Sequence, residues 1–362
     1  MEIGIVGLPM VGKTTIFNLV TNAGVETSNY LTGKTETNVG MAKVPDKRID
    51  YLSEMFNPRK TIYAQIQFSD VPGLVQGASQ GKGVGNRFLD SIRNADLLVH
   101  VVRAFENPDV LHAEGGIDPL RDVETINLEL LLADLDLVEK RIERIRGGKK
   151  IKKEALVELE VLEKLKDALE NEVSLRQLDL SENEREILQN YSFFSEKPII
   201  LVVNTDEEQF KKGEYPKKKE LEAWAEQKET RVIEVSGQTE MEIAQLPEED
   251  REIFMEDLGI EELGIDRLAR AAYDRLGLMS FFTVGEDEVR AWTVKKGTVA
   301  RKAAGKIHND LERGFIRAEV IHFNDLKECG SMAAAKDKGL VRLEGKDYEV
   351  KDGDILNIRF NV

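Results

Sequence analysis

A segment near the start of the chain has the residue types and spacing that bind phosphate groups. It fits the pattern G-x-x-x-x-G-K-[ST], and its residues are Gly7, Leu8, Pro9, Met10, Val11, Gly12, Lys13 and Thr14. In this pattern the glycines let backbone N–H groups turn toward an anion, the lysine reaches the β and γ phosphates, and the threonine hydroxyl coordinates Mg²⁺. The segment predicts a nucleotide-binding loop, completed by Thr15, in which Lys13 also takes part in catalysis and Thr14 is a metal ligand.

A second motif, Ser69-Asp70-Val71-Pro72-Gly73, ends an apolar run that starts at Tyr63. An aspartate at the carboxyl end of a strand lies where such sheets bind ligands, so Asp70 is predicted to hold Mg²⁺ through water and the Gly73 N–H to sense the γ-phosphate. The next residue is Leu74, where many related GTPases place a glutamine that orients the attacking water. Because a leucine cannot orient water, either another side chain takes this role or hydrolysis waits for a partner.

Selection of the base is predicted to depend on a loop that reads Asn204-Thr205-Asp206-Glu207. GTPases use N-K-x-D here. Thr205 lacks the lysine stem that covers guanine, Glu207 is one methylene too long for the same hydrogen bonds, and each unmet buried hydrogen bond costs about 1–3 kcal/mol. Guanine preference is therefore weakened, unless Asp206 takes over through a loop slipped by one residue. Ser236 and Gly237 are predicted to cover the base from the other side.

The chain has four histidines that could position water. His100 lies inside an apolar run and is typical of a packed residue. His112 lies in a segment with flanking glycines and prolines, a plausible mobile loop after a core strand. The residues alone favour a loop histidine without a role, and a water-positioning role is the alternative. His308 and His322 are remote in sequence from the phosphate loop.

The segments that must position these residues alternate apolar strands with helices. The strands are predicted at Ile3 to Val6, Tyr63 to Phe68, Leu97 to Val102, Pro198 to Val203 and Arg231 to Val235. This alternation is typical of a parallel sheet covered by helices, that is, an α/β doubly wound fold of the P-loop nucleotidase kind. We assign it to residues 1–127 and 197–277, with a closing helix at Leu263 to Leu276.

Residues 128–196 interrupt this pattern. Apolar residues recur at alternating spacings of three and four, the period of a coiled-coil seam, at Leu128, Leu131, Leu135, Val138, Ile142 and Ile145. Gly147 and Gly148 then stop the helix, and a second series follows at Leu162, Leu165, Leu169 and Val173. We predict an inserted helical hairpin with the lysines of residues 149–153 at its tip. A solvated helix pair without a partner is the alternative.

After Gly277 the chain changes to short strands and turns, with one predicted helix at about Val299 to His308. This predicts a small mixed β domain at residues 278–362.

Composition limits the class of protein. With 362 residues the chain is long enough for two or three domains, and 41% apolar with 33% charged residues indicates a globular protein. The absence of a long apolar run or a basic leader predicts a cytoplasmic protein with no membrane partner. The lone Cys329 suits a reducing compartment. A net charge of −16 argues against broad nucleic-acid binding, so no DNA partner is predicted and any RNA contact must be local.

Taken together, the motifs resemble the Obg-like ATPases of the YchF type, over residues 1 to 362. The resemblance includes the Asn204 to Glu207 loop, which matches N-x-x-E, and the stretches Gly73 to Ser79, Gly305 to Asp310, Gly314 to Val320 and Arg342 to Tyr348. It implies a C-terminal β-grasp domain of the ubiquitin-like TGS type, Mg²⁺-dependent hydrolysis of ATP in preference to GTP, and a catalytic histidine at His112. It also implies association with the ribosome, through the large subunit or its RNA.

This sequence departs from the family pattern in the phosphate loop and the first switch. Met10 replaces an asparagine that could help hold a monovalent cation, so potassium stimulation is not expected. The switch reads Tyr30 to Asn38 without the usual motif, which leaves Thr35 or Thr37 as the further Mg²⁺ ligand. We expect an ATPase whose nucleotide state gates ribosome binding. A GTPase with the same partners, or a nucleotide-gated RNA- or protein-binding module with incidental hydrolysis, are the alternatives.

Overall fold

The structure of the protein, a computed structural model, describes residues 1–25, 37–71, 84–112, 115–148 and 152–361, with only the backbone at 84–87 and 248. Contacts divide the chain into two units. The first comprises Met1–Gly40 and Gln67–Leu268, and the second comprises Met41–Ile66 and Ala269–Val362. The three-part division into residues 1–127 with 197–277, 128–196 and 278–362 stays a prediction.

A six-stranded sheet carries the first unit. Its strands in chain order are β1 (Glu2–Val6), β2 (Asn38–Lys43), β4 (Gln65–Asp70), β5 (Leu97–Arg103), β6 (Ile199–Asn204) and β7 (Arg231–Val235). They lie in the order β2-β4-β1-β5-β6-β7, and the pairs from β4 to β7 are parallel. Every residue of β5 and β6 is buried, as expected for central parallel strands covered on both faces. The predicted α/β fold of the P-loop class is confirmed.

Helices separate or follow these strands along the chain. They are α1 (Lys13–Thr21), α3 (Val84–Ile92), α7 (Glu207–Lys212), α8 (Lys218–Gln227), α9 (Gly237–Gln245), α10 (Glu248–Asp257) and α11 (Gly264–Arg275). Because the carboxyl ends of parallel strands share one edge, the loops after β1, β4, β5, β6 and β7 meet there. In the described part of the chain, no helix is both long and apolar enough to cross a membrane.

Two long helices form the hairpin that interrupts the sheet, α4 (Pro119–Arg146) and α5 (Lys153–Glu170). The first helix begins earlier than the predicted residue 128, because Asp118 caps it and Pro119 occupies its first turn. The seam positions from Leu131 onward are buried or partly buried, whereas Leu128 is 43% exposed. Of the predicted basic tip, residues 149–151 lie outside the described residues.

A short segment leads from the hairpin back to the sheet through a 3-10 helix (Leu175–Gln177) and α6 (Glu182–Leu188). The carboxylate of Asp134 on α4 fixes it by accepting hydrogen bonds from the N–H groups of Phe194 (2.9 Å) and Ser195 (2.7 Å) and from the Ser195 hydroxyl (2.6 Å). Burial of this carboxylate raises its pKa to about 6. The hairpin is therefore attached to the sheet by a buried polar contact as well as by apolar packing.

The second unit contains another six-stranded sheet, in the order β11-β10-β12-β8-β9-β3. Its strands are β3 (Lys60–Ile62), β8 (Leu278–Thr283), β9 (Glu288–Lys295), β10 (Phe315–His322), β11 (Arg342–Glu344) and β12 (Asp354–Phe360). A hairpin, β8 and β9, is followed by α12 (Ala300–Ile307), and β12 returns between β8 and β10, parallel to β8. This is the β-grasp arrangement. Ala300 and Ala303 of α12 pack on Phe281 and Val320 of the sheet.

The C-terminal part holds more helices than the one predicted there. In addition to α12, it contains α13 (Asn309–Arg313), α14 (Phe323–Cys329) and α15 (Met332–Asp337). These helices are too short to show a periodic apolar pattern in the sequence. A side chain at the N-terminus of each one accepts a backbone hydrogen bond and caps the helix. His308 and His322 each accept a backbone N–H at 3.2 Å through Nδ1, and Ser331 does so through its hydroxyl. Two of the four histidines thus have a structural role.

The segment Met41–Ile66 adds α2 (Lys47–Phe56) and the edge strand β3 to the second unit. Asp46 caps α2, and β3 pairs in parallel with β9. Arg48 joins this segment to the C-terminal residues by donating to both oxygens of Asp352, and its guanidinium lies 5.3 Å from the centre of the Phe282 ring. Residues from the first third of the chain therefore complete the C-terminal sheet.

Candidate nucleotide site

The loop between β1 and α1 has a backbone that only glycine can adopt at two points. Gly7 has a φ of 152° and Gly12 a φ of 95°. A Cβ atom at Gly7 would collide with the carbonyl oxygen of Val101, and one at Gly12 would collide with the amide of Asn204. Any side chain at either position would displace a neighbouring strand or loop, so these glycines set the shape of the predicted phosphate loop.

The Lys13 amine lies over the middle of this loop. It donates to the carbonyl oxygens of Gly7 (3.2 Å) and Leu8 (2.7 Å), and the residue is only 8% exposed. Leu8 and Val11 are buried, while Pro9 and Met10 are partly exposed. A buried cation held on loop carbonyls, at the start of a helix, is arranged to receive an anion.

Met10 has a left-handed backbone with a φ of 66°. A residue with a Cβ pays roughly 1 kcal/mol for this conformation, and asparagine tolerates it better than methionine does. The residue thus departs from the family asparagine in backbone preference as well as in the loss of a side-chain oxygen.

Two of the predicted metal ligands are in contact. The Thr14 hydroxyl donates to Oδ2 of Asp70 at 2.9 Å, and Asn38 approaches the same oxygen through Nδ2 at 3.5 Å. Asp70 ends β4 and is 3% exposed. Hard oxygen ligands, few in number, suit Mg²⁺, which takes most of its remaining ligands from phosphates and water. No group of three or more His, Cys, Asp or Glu residues suited to a metal ion occurs among the described residues.

Three further residues of the predicted site cannot be placed. Thr35, Gly73 and Leu74 lie outside the described residues. The metal role of Thr35 and the phosphate-sensing role of Gly73 therefore stay predictions. Thr37 is described and donates a hydrogen bond to the Ser91 hydroxyl at 3.2 Å.

Asn204 joins three loops of the site. Its Nδ2 donates to the carbonyl of Val11 in the phosphate loop (3.1 Å), and its Oδ1 accepts from the N–H of Gly237 (3.1 Å). Thr205, which is 2% exposed, donates its N–H to Val235 at 2.9 Å. The buried side chain of Asn204 thus acts as a scaffold, and the sequence had suggested only a place in base selection.

The two carboxylates of the base-selecting loop have separate roles. Asp206 caps α7 by accepting from the N–H of Gln209 at 2.9 Å, and the Gln209 side chain accepts from Asp206 N–H in return. Glu207 is half exposed and pairs with Lys211 at 2.6 Å. A one-residue slip of the loop would break this capping box, which is worth about 1 kcal/mol. The slip that would restore guanine recognition by Asp206 is therefore disfavoured.

A cavity of about 660 Å³ opens beside this loop. Asp206 and Glu207 line it together with Gln238 and Thr239, which follow Ser236 and Gly237. Ser236 itself is buried and its hydroxyl lies 2.8 Å from that of Thr239. Residues that follow β6 and β7 thus line one cavity, and its use as a base site stays a prediction.

A buried glutamate fixes the helix behind these walls. Glu240 on α9 is 2% exposed and accepts from the N–H groups of Gly264 (2.9 Å) and Ile265 (3.1 Å) at the start of α11. Burial raises its pKa to about 7, although both hydrogen bonds act in the opposite direction. The sequence contained no signal for this contact between distant helices.

His112 is held by a carboxylate that the sequence did not single out. Its Nε2 lies 2.9 Å from Oδ2 of Asp122, and the side chains are 7% and 1% exposed. Burial raises the pKa of Asp122, and its interactions with Arg121 and His112 oppose that rise. The residues that follow His112, 113 and 114, lie outside the described residues. The side chain of His112 is thus buried and paired, and its predicted catalytic role stays a prediction.

His100 is packed, as its place in an apolar run indicates. It is 3% exposed, and its Nε2 has no hydrogen-bond partner within the described part of the chain. Burial and the nearby charge of Lys13 lower its pKa to about 3. A neutral imidazole beneath the phosphate loop adds no positive charge there.

Comparison with known proteins identifies relatives along the whole chain. A family model described as "50S ribosome-binding GTPase" matches residues 2–141, and the model YchF-GTPase_C, described as "Protein of unknown function", matches residues 278–361. The protein named "Ribosome-binding ATPase YchF" of Bacillus subtilis (strain 168) is 46% identical over 99% of both chains. Its namesake in Escherichia coli O157:H7 is 45% identical over the same share of each.

A solved structure also matches the full chain. The YchF GTPase of Schizosaccharomyces pombe has a TM-score of 0.87 and 32% identity, covering 99% of this chain and 97% of that one. The match extends over both units and the hairpin.

Proposed function

The chain belongs to the YchF family, and from this premise we propose that it is a Mg²⁺-dependent ATPase whose nucleotide state gates its binding to the ribosome. The name of the full-length bacterial relatives supports both the nucleotide and the partner. A ribosomal partner implies a cytoplasmic location. The large subunit or its RNA is the expected surface of contact, as the description of the matching N-terminal family model supports.

The observation that carries the nucleotide part is the arrangement of Lys13, Thr14 and Asp70 around the loop. Lys13 is positioned to neutralise charge on the β and γ phosphates, and the positive end of the α1 dipole would favour the same anion. Thr14 and Asp70 would hold Mg²⁺, directly and through water. When bound, the ion would neutralise charge that develops on the phosphates.

A preference for ATP over GTP is supported by the base-selecting loop. Guanine recognition needs a carboxylate that accepts from N1–H and the 2-amino group. Asp206 is engaged in a cap, and Glu207 is in an ion pair at the surface. Thr205 has no long stem to cover the base and is itself buried. The hydrogen bond between Asn204 and Gly237 joins the loop after β6 to the loop after β7, and the adenine would lie between these two loops.

Hydrolysis transfers the γ-phosphoryl group to water. The water oxygen bonds to the γ-phosphorus, the bond to the β–γ bridging oxygen breaks with its electron pair going to ADP, and the water proton passes to a base. We assign the base or water-orienting role to His112, since Leu74 cannot take it. Lys13 stabilises the charge on the transferring group.

Titration of nucleotide-free protein with labelled ATP and GTP, each with Mg²⁺, tests the base assignment. We expect ATP to bind more tightly. GTP binding at least about tenfold tighter than ATP, roughly 1.4 kcal/mol, would instead establish the GTPase alternative.

Co-sedimentation with ribosomes, in the presence of ATP, ADP or no nucleotide, tests the partner. We expect the bound fraction to depend on the nucleotide and the ATPase rate to rise when ribosomes are added. Nucleotide-dependent binding without any rise in hydrolysis would favour a binding module in which hydrolysis is incidental.

A further inference from the structure

The loop that carries His112 is wound around a buried arginine. Arg103 ends β5 and is 2% exposed. Its guanidinium donates to the carbonyl oxygens of Phe105 (3.1 Å), Asn107 (3.2 Å) and Val110 (2.9 Å). The same group lies 4.4 Å from the centre of the Phe105 ring. Three hydrogen bonds from one planar group fix the backbone of the loop as far as Val110. The backbone that leads into His112 therefore has a defined position.

Asp122 meets His112 from the first turn of α4. One carboxylate oxygen, Oδ2, faces His112 Nε2 at 2.9 Å. The other, Oδ1, accepts from Nε (3.2 Å) and Nη2 (2.9 Å) of Arg121, which also donates to the carbonyl of Gly116 at 2.6 Å. Arg103 is the second positive charge that acts on this carboxylate. Both oxygens are thus engaged, and the hydrogen bonds and charge of Arg121 oppose the rise in the pKa of Asp122 that burial causes.

The pairing determines which nitrogen of the imidazole is basic. An ionised carboxylate can only accept hydrogen bonds, so Nε2 carries the proton and Nδ1 has the lone pair. A neighbouring carboxylate also stabilises the imidazolium that forms when Nδ1 takes up a proton, as in other histidine–carboxylate pairs. A neutral amide has a single acceptor oxygen, so it could not accept from both Arg121 and His112, and it would not provide this stabilisation.

We propose that Asp122 is a positioning residue for hydrolysis: it orients the His112 ring and holds the tautomer whose Nδ1 receives the proton of the attacking water. This inference rests on the proposed role of His112. It differs from two other roles for the same contact, a purely structural ion pair with Arg121 and a restraint that keeps His112 away from the nucleotide.

Asp122→Asn is the central test, because the side chain keeps its shape and loses its charge. We expect kcat for ATP to fall at least about tenfold, while the Kd for ATP changes less than about threefold. The matched control is Asp109→Asn, an exposed aspartate on the same loop, which should leave both values unchanged. Normal turnover in Asp122→Asn would overturn the proposal, and raised turnover would identify a restraint instead.

A double-mutant cycle separates positioning from structure. If Asp122 acts through His112, adding Asp122→Asn to His112→Ala should lower turnover by no more than about twofold beyond His112→Ala alone. A structural role would lower turnover by the same factor in both backgrounds, and that result would overturn the proposal. Full turnover in His112→Ala would instead show that the assignment of the histidine itself is wrong.

Asp122→Glu provides a measurement that does not depend on the folding of the asparagine variant. It keeps the charge but moves the carboxylate by one methylene, so kcat should fall by a smaller factor than in Asp122→Asn, with unchanged ATP affinity. The loss should again vanish in the His112→Ala background. An equal loss in both backgrounds would contradict the positioning role.

Discussion

At the scale of single residues, the proposed site combines side chains that would act on the nucleotide with side chains that would hold them in place. Lys13 and Thr14 belong to the first kind, and Asn204 and Asp122 to the second. Residues of the first kind belong to a short sequence motif, so the sequence alone reveals them. Residues of the second kind come from distant segments and are buried, so their substitution should separate turnover or stability from binding.

Lys13→Ala should remove most nucleotide binding or turnover, because a bound triphosphate would lose its main cationic partner. We expect a loss of at least about tenfold in ATP affinity or in kcat, measured by titration and steady-state hydrolysis. Normal ATPase activity in this variant would exclude the loop as the site.

His112→Ala should retain ATP affinity within about threefold and lose at least about tenfold in turnover, or roughly 1.4 kcal/mol of transition-state stabilisation. The reason is that Leu74 leaves water without an orienting side chain and His112 is the proposed replacement. Equal losses of affinity and turnover would indicate a structural residue instead.

At the scale of elements, buried contacts between helices hold the hairpin together and join α9 to α11. The seam between α4 and α5 is apolar, whereas Glu240 joins α9 to α11 through a buried carboxylate. These two kinds of contact respond differently to mutation and to pH.

Leu165→Ala in the hairpin should lower the free energy of unfolding by about 2–5 kcal/mol, because Leu165 is fully buried in the α4–α5 seam. Leu156→Ala on the same helix is the matched control, since Leu156 is 45% exposed, and its effect should be within about 0.5 kcal/mol. Urea unfolding measures both. Similar losses for the two variants would contradict the assigned seam.

Glu240 should make stability depend on pH. Its pKa rises from an ordinary 4.5 to about 7 on folding, so the folded protein binds more protons in this window and loses stability as the pH rises through it. Glu240→Gln cannot ionise. From pH 4 to pH 8, the difference in free energy of unfolding should therefore move by about 3 kcal/mol in favour of the variant. Urea unfolding at each pH tests this, with the exposed Glu242→Gln as control, and a difference that is constant with pH would contradict it.

At the scale of the whole molecule, the chain passes from the first unit to the second and back within its first seventy residues. Residues 41–66 lie between segments of the first unit and yet contribute α2 and β3 to the second. A fragment limited to the predicted domain 278–362 would lack the helix whose Arg48 lies over Phe282 and the strand that covers β9.

Arg48→Gln should weaken this second unit. Arg48 is bound to Asp46 and to Asp352, and Asp352 in turn accepts from Ser280 N–H at 3.0 Å. Loss of a hydrogen-bonded charge pair costs about 1–3 kcal/mol, so backbone amides of α2 and β8 should exchange with solvent faster. The matched control is Arg59→Gln, whose ion pair with Asp287 is 86% exposed on both sides. Equal exchange in both variants would contradict this role.

The sequence by itself determined those features that depend on short-range patterns. The phosphate loop, the aspartate at the end of β4 and the parallel sheet all follow from the types and spacing of adjacent residues, because backbone conformation and strand alternation are local. The hairpin and the change to short strands after Gly277 were predicted for the same reason. The exact ends of helices and the short helices α13 to α15 were not predicted, because hydrogen bonds from single capping side chains determine where these helices begin.

Only the tertiary structure decided which distant residues meet. The bridge made by Asn204 between two loops, the pairing of His112 with Asp122, and the joining of residues 41–66 to the C-terminal sheet all link segments that are far apart along the chain or that no period connects. Such contacts form because burying apolar surface brings the segments together and every buried polar group must then find a partner. Packing, which no local pattern encodes, selects that partner.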